Sequence, residues 1–272
     1  MSTIENGDFS DYYHGTINGG GHKITGMRVN SSEQDMSKRF GLVGHLYTTG
    51  VVKNLTFEDC TINGYYGTGL AVGYNYSGTI INCHALANCT VTAASWYAGG
   101  IVGNNAGSIA SCTSAATVTA NTGCAGGITG ATNSNGVIAA CSATGHVSVT
   151  NTENTLGGLV GEHYGKMYGC WSTATTGTGD AITTLDVVGT VGSQKVIESS
   201  YTTAITATYG TPVTEEALNT ITDNEDPIEL MNTAIATYNN DCSDVDRKSS
   251  KHWVKGTTLP VLVDISLPSG TE

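Results

Sequence analysis

Apolar and polar residues alternate strictly in Cys60-Thr-Ile-Asn63, Cys89-Thr-Val-Thr92, Val118-Thr-Ala-Asn121 and Val147-Ser-Val-Thr150. A period of two predicts half-buried strands. Between these segments a Gly-aliphatic-x-Gly element recurs at Gly41–Gly44, Gly69–Gly73, Gly100–Gly103, Gly127–Gly130 and Gly158–Gly161, with a weaker copy at Gly189–Gly192. Its closing glycines lie 29, 30, 27, 31 and 31 residues apart. Further columns keep a period of 29: Gly78, Gly107, Gly136 and Gly165; Ile80, Ile109, Ile138, Met167 and Val196; Cys83, Cys112, Cys141 and Cys170, with Ser199 in the next slot. The alternating segments add Cys60, Cys89, Val118 and Val147.

A fixed period with apolar residues at fixed phases means that each repeat is one coil, unable to bury its face alone and stacked on its neighbours. The expected fold is all-β: a parallel β-helix of about six to seven coils, each with a 29-residue period and three short strands. The coil is expected to be right-handed, as parallel crossovers are. Ile80 and Cys83 are three residues apart, so both face inward only if the chain bends between them. Residues 1–210 are expected to form the β-helix and 211–272 a cap. In that cap Asp226-Pro-Ile-Glu229 reads as a helix start, followed by Ile228, Met231, Ile235 and Tyr238 on one face. The helix is expected to lie across the end of the stack, with a strand around Leu259–Val263 beside it, because an uncovered end would template aggregation.

Gly69-Leu-Ala-Val-Gly-Tyr-Asn-Tyr-Ser-Gly-Thr-Ile-Ile-Asn-Cys83, Gly99-Gly-Ile-Val-Gly-Asn-Asn-Ala-Gly-Ser-Ile-Ala-Ser-Cys112 and Gly157-Gly-Leu-Val-Gly-Glu-His-Tyr-Gly-Lys-Met-Tyr-Gly-Cys170 resemble the repeat of the GLUG-motif family. The opening His14–Met27 and the tail Trp253–Leu262 resemble the first coil and closing segment of such proteins. The resemblance implies a β-helical region of bacterial cell-surface or secreted proteins, many of them adhesin-like. It carries over no catalytic residue.

Charge narrows the partners. Eleven Lys and Arg stand against 23 Asp and Glu, a net charge of −12, which disfavours nucleic acid and anionic membrane surfaces. No apolar run reaches the ~20 residues of a membrane span. The start Met1–Asp8 has no signal-peptide pattern, so the protein is expected either to stay inside or to have lost a leader; the family resemblance favours the cell surface or exterior. Thr makes up about 15% of the chain, as suits strands.

Eight cysteines raise the question of disulfides. Cys83, Cys112, Cys141 and Cys170 would stack with parallel Cβ vectors, the wrong direction for a bridge, and read as small core hydrophobes beside the ladder of Ile80, Ile109, Ile138 and Met167. Cys124 and Cys242 fall outside the columns. From Cys60 to Thr152 there is no Asp, Glu, Lys or Arg, which removes paired-carboxylate glycosidase chemistry from the middle coils. His84 and His146 lie there without carboxylate partners. Asp241, Asp244 and Asp246 offer hard oxygen ligands to calcium or form a solvated acidic loop; no other cofactor is implied.

Aromatic residues recur in phase. Tyr47, Tyr76 and Tyr164 each sit three residues past a closing glycine, and Tyr65-Tyr66 and Trp96-Tyr97 each precede a glycine core. Exposed on a rigid frame, these rings would serve a sugar-binding face; otherwise they cover the glycine turns. The Thr61, Thr90, Thr119, Ser148 column and its neighbour Asn63, Thr92, Asn121, Thr150 read as an ice-binding array or as ordinary exposed strand. The leading expectation is a non-enzymatic surface module presenting a lateral face to glycan or a cell-surface protein. The alternatives are a polysaccharide lyase or hydrolase and a structural spike or decoration protein of a phage or injection system.

Overall fold

The computed structural model describes residues 12–31, 34–151, 154–177, 183–193, 195–204, 207–218, 226–242, 248–249 and 251–264. It is an all-β parallel solenoid of about six turns with a single long helix near the C-terminus. Among the described residues the walls are sheets of thirteen, seven, six and four strands. Their pairings are parallel, except that Thr175–Thr176 pairs antiparallel with Thr183–Thr184.

One coil runs through Tyr97–Gly99, Val102–Asn105, Ser108–Ala110, Thr113–Ser114 and Thr117–Ala120. That is more segments than the three predicted, because two of the predicted runs are split, one by a turn at Gly100–Ile101 inside the glycine core and the other by the break at Ser111. A Cβ on Gly99 would fall inside van der Waals contact with the Val102 carbonyl, and one on Gly103 would overlap the backbone at Thr68. Two backbone runs therefore pass at a distance that only glycine permits. The aliphatic residue at each reversal (Leu70, Ile101, Ile128, Leu159) is fully buried.

The expected bend between Ile80 and Cys83 is a single left-handed residue repeated up the stack: Asn54, Asn82, Ser111, Ala140, Gly169 and Ser199 have φ of 58°, 53°, 55°, 53°, 57° and 43°. Strand alternation alone would put positions three apart on opposite faces; the αL residue turns the wall so that both point inward. Ile80, Ile109, Ile138 and Met167 pair rung by rung. Cys83, Cys112, Cys141 and Cys170 are fully buried free thiols, with Cys83 N donating to Cys112 Sγ and Cys141 N to Cys170 Sγ, each at 3.4 Å. The Cys112 thiol and then burial hold Cys83 well above the ordinary thiol range, and burial and then its two thiol neighbours do the same for Cys141.

Columns read at a constant period of 29 shift where a turn gains or loses residues. Val91 pairs with Val118 and Ile62, so the inward column is Ile62, Val91, Val118, Val147, and Cys60 and Cys89 belong to the position two residues earlier. A turn shortened by two residues keeps every side chain on its face, so nothing in the alternation reports the slip. The outward columns shift with it, to Thr61, Thr90, Thr117, His146 and Asn63, Thr92, Thr119, Ser148; His146 interrupts the Thr array that the constant period implied. In the last coil Ile197 pairs with Met167 in place of Val196, and Ser200, not Ser199, receives the Cys170 amide at 3.4 Å.

The helix Pro227–Asp241 begins as read, Asp226 accepting from Ile228 N at 2.9 Å, but it does not cross the end of the stack. It lies along the lateral wall. Ile228, Met231, Ala234, Ile235 and Tyr238 are buried, Tyr238 reaching back to share a hydrogen bond with Ser108 at 2.9 Å. The outward positions of this wall are small or aromatic (Ala139, Ala140, Tyr168, Trp171) and form clusters with the helix. This apolar stripe is what the helix covers. The strand Val261–Asp264 pairs antiparallel with Lys251–Val254 as a hairpin beside it.

Candidate functional site

The six-stranded sheet presents alternate residues outward, and in its first two strands these are His45 and Tyr74, paired across the rung. Tyr47 and Tyr76 follow two residues on, their rings stacked at 5.0 Å and 25°. Tyr12 lies 4.7 Å from Tyr47, His14 5.1 Å from it edge-on, and Tyr74 5.8 Å from Tyr76. The Arg39 guanidinium sits over Tyr66 at 4.3 Å and near Tyr74 at 5.7 Å. Tyr66 meets Tyr97 edge-on at 5.4 Å, and Tyr97 meets Trp96 at 6.1 Å. One aromatic belt therefore runs from Tyr12 through Tyr47, Tyr76, Tyr74, Arg39, Tyr66 and Tyr97 to Trp96. Tyr76 and Trp96 are each 45% exposed.

Of the predicted rings, Tyr47, Tyr66, Tyr76, Trp96 and Tyr97 meet in this belt. Tyr65 contributes its backbone, the carbonyl accepting from Ser95 N at 2.7 Å, and among the described residues its ring joins no aromatic pair. Tyr164 stands apart: the pairing of Asn75, Asn105, Thr132 and His163 sets Tyr164 three rungs from Tyr76, about 14 Å at one strand spacing per rung. Ala106 and Asn133 hold the positions between. Equal offset from a glycine does not make rings neighbours when the coils between carry none. The sequence reading missed Tyr12, His14, His45, Tyr74 and Arg39. Period two from Tyr47 and Tyr76 would have found His45 and Tyr74; Arg39 lies in a stretch with no periodicity.

Charge on the belt is arranged for packing more than for proton transfer. Burial lowers Arg39, partly offset by the surrounding tyrosines, and burial with the Arg39 charge pushes His45 down to about 4. Burial raises the Tyr97 phenol, with Tyr66, Cys124 and Glu162 adding to it. At neutral pH His45 is thus uncharged, beside the one guanidinium, which stands in cation–π geometry to Tyr66 and Tyr74. Flat faces of this kind pack against apolar faces of a ligand.

The other predicted sites are not drawn into it. Among the described residues no three His, Cys, Asp or Glu side chains gather as a metal site; Asp241 ends the helix, while Asp244 and Asp246 lie outside the described residues. Cys124 is buried beside Glu162, with burial first and then that carboxylate raising its thiol.

The family model described as "The GLUG motif" matches residues 94–119, a span that takes in most of one coil and both sides of its glycine reversal. That coil thus matches the GLUG motif. A 73-residue stretch, 27% of this chain, is 41% identical to "Halomucin" of Haloquadratum walsbyi, of whose own length it covers 1%. Among solved structures, that of "a putative immunoglobulin A1 protease from Bacteroides ovatus" matches with a TM-score of 0.49 at 18% identity, over 90% of this chain and 76% of that one.

Proposed function

We propose that this GLUG-repeat chain is a non-enzymatic module, secreted or held at a cell surface, whose first coils bind a neutral glycan on the aromatic belt. The observation that carries the proposal is the run of half-buried rings, bridged by Arg39, that joins the Tyr47–Tyr76 stack to Trp96 and is exposed at Tyr76 and Trp96. Pyranose rings present C–H faces that pack on such surfaces, and a rigid solenoid holds the rings without an entropy cost on binding. Support for the non-enzymatic reading is the stretch from Cys60 to Thr152 without any Asp, Glu, Lys or Arg. His84 there is already occupied, with Thr113 Oγ1 at 2.8 Å and Asn82 Oδ1 at 3.0 Å. Surface location rests on the GLUG resemblance.

A glycan array followed by titration of the best ligand tests this. Trp96 is exposed whereas Trp171 and Trp253 are 3% and 1% exposed, so the quenchable part of the fluorescence reports on the belt. Saturable protection of Trp96 from acrylamide, lost in Tyr76→Ala, is the expected result. Binding unchanged in Tyr47→Ala/Tyr76→Ala overturns the proposal, as does binding only to a protein partner; turnover of any polysaccharide overturns its non-enzymatic part.

A further inference from the structure

The helix lies along the wall, and a different segment closes the far end of the stack. Thr211–Pro212 pairs in parallel with Tyr201–Thr202, a last-coil strand of the thirteen-stranded sheet. Thr211 N donates to the Ser200 carbonyl and Val213 N to that of Thr202, each at 2.9 Å. Successive N–H groups of a strand point to opposite sides, so residue 212 is the one whose N–H would face away from the solenoid. That residue is proline and has none. A proline so placed denies a further strand its hydrogen bond and blunts the edge.

The same strap is latched just before this proline. The Asp186 carboxylate, in the last coil, accepts from the backbone N–H groups of Thr208 at 2.5 Å, Tyr209 at 2.8 Å and Gly210 at 3.0 Å, and from Val187 N at 2.7 Å. Bonds to a charged acceptor are stronger than those of a neutral ladder. Gly210 crosses buried Val187 so closely that a Cβ there would overlap its Cγ2. Tyr209 packs against the core with the Lys195 ammonium 5.6 Å from its ring.

What the strap occupies is the place of another coil. In the thirteen-stranded sheet, Val196–Glu198 ends the column that starts at Thr16–Asn18, and Tyr201–Thr202 ends the column that starts at Lys23–Thr25. Among the described residues both starting strands pair on one side only. Ile17 and Ile24 stay half-buried there, whereas their rung partners Val52 and Phe57 are fully buried; at the far end Ile197 is half-buried as well. All pairings in this sheet are parallel, so the near end of a second copy has the strand direction and outline to continue the far end of the first. Its Thr16–Asn18 would pair with Val196–Glu198, but its Lys23–Thr25 would collide with the strap already seated on Tyr201–Thr202. The seven-stranded sheet ends on the antiparallel Thr183–Thr184, so the thirteen-stranded sheet is where a parallel ladder could run on.

We infer that the strap of residues 208–213, latched by Asp186 and blunted by Pro212, is a built-in stop against head-to-tail association with a second copy of this chain. Such a contact joins two different surfaces and does not close on itself, so without the stop it propagates as a filament.

Light scattering and negative-stain microscopy of the full chain test this. The wild type is expected to stay monomeric at concentrations where Asp186→Ala/Pro212→Thr at least doubles its weight-average mass and forms filaments one solenoid wide. Thr16→Pro in the same background should restore the wild-type mass. Val51 N donates to the Gly15 carbonyl and Gly19 N to that of Lys53, so the Thr16 N–H points away from its own stack and toward the incoming one. If the double variant loses its native circular dichroism, Asp186→Asn/Pro212→Thr, which keeps one acceptor oxygen, is read in its place. Association of the wild type itself overturns the inference, as does a folded double variant that stays at the wild-type mass, or association that survives Thr16→Pro.

Discussion

The Trp253 indole nitrogen donates to the carbonyl of Gly169, a residue 84 positions upstream, at 2.7 Å, and so pins the C-terminal segment to the wall of the solenoid. Gly169 also lies against the helix backbone. It has φ of +57°, and a Cβ there would collide with the Met231 carbonyl.

Trp253→Ala should cost about 3–5 kcal/mol of docking free energy, as expected when a fully buried aromatic is truncated. Because the loss is local, hydrogen exchange should accelerate in Pro227–Asp241 and leave the amides of Val102–Asn105 protected. Loss of protection throughout the solenoid would show that the C-terminal segment is integral to it.

Gly99→Ala tests the glycine reversal. The added methyl meets the Val102 carbonyl rather than a movable side chain, so the backbone itself must shift. A drop of several degrees in Tm, of the size expected for overpacking by about 1–3 kcal/mol or more, should separate it from Gly20→Ala, where φ is +58° but the nearest atom is the His22 ring at 3.6 Å. Equal effects would mean that φ, not backbone contact, sets the glycine requirement.

His163 is fully buried, and burial pushes it down to about 4 from 6.5. The unfolded chain therefore binds the proton first, and stability falls as pH drops from 6.5 to about 4, then levels off. The ceiling is about 3 kcal/mol at 1.36 kcal/mol per unit. Its rung neighbour is Val191, so His163→Val should fold and flatten that part of a urea-denaturation pH profile. An unchanged slope would assign it to other groups.

Iodoacetamide under native conditions should add once, at half-buried Cys242, while the seven buried cysteines react only after unfolding. Intact mass reads the count directly. Rapid modification of Cys112 in the folded protein would contradict the dry cysteine column.

The parallel coil, the inward cysteine and aliphatic ladders and the corner between them were legible in the sequence, because each is a local periodic pattern that stacking repeats faithfully. The Asp226 cap was legible for the same reason: its hydrogen bond spans two residues. What escaped is whatever depends on turn length or distant encounter. A two-residue slip at Val118 preserves alternation and so leaves no mark in the pattern. Tyr47 and Tyr76 stack while Tyr164, at the same phase, lies three rungs away, since contact needs adjacent rungs as well as equal phase. Arg39 reaches the belt from an aperiodic loop, and Trp253 finds Gly169 across 84 residues. Sequence thus determined the coil and its contents, through local sterics and burial; the belt was decided by which rungs became neighbours, and the path of the C-terminal helix by the apolar stripe that the folded wall leaves for a later segment to cover.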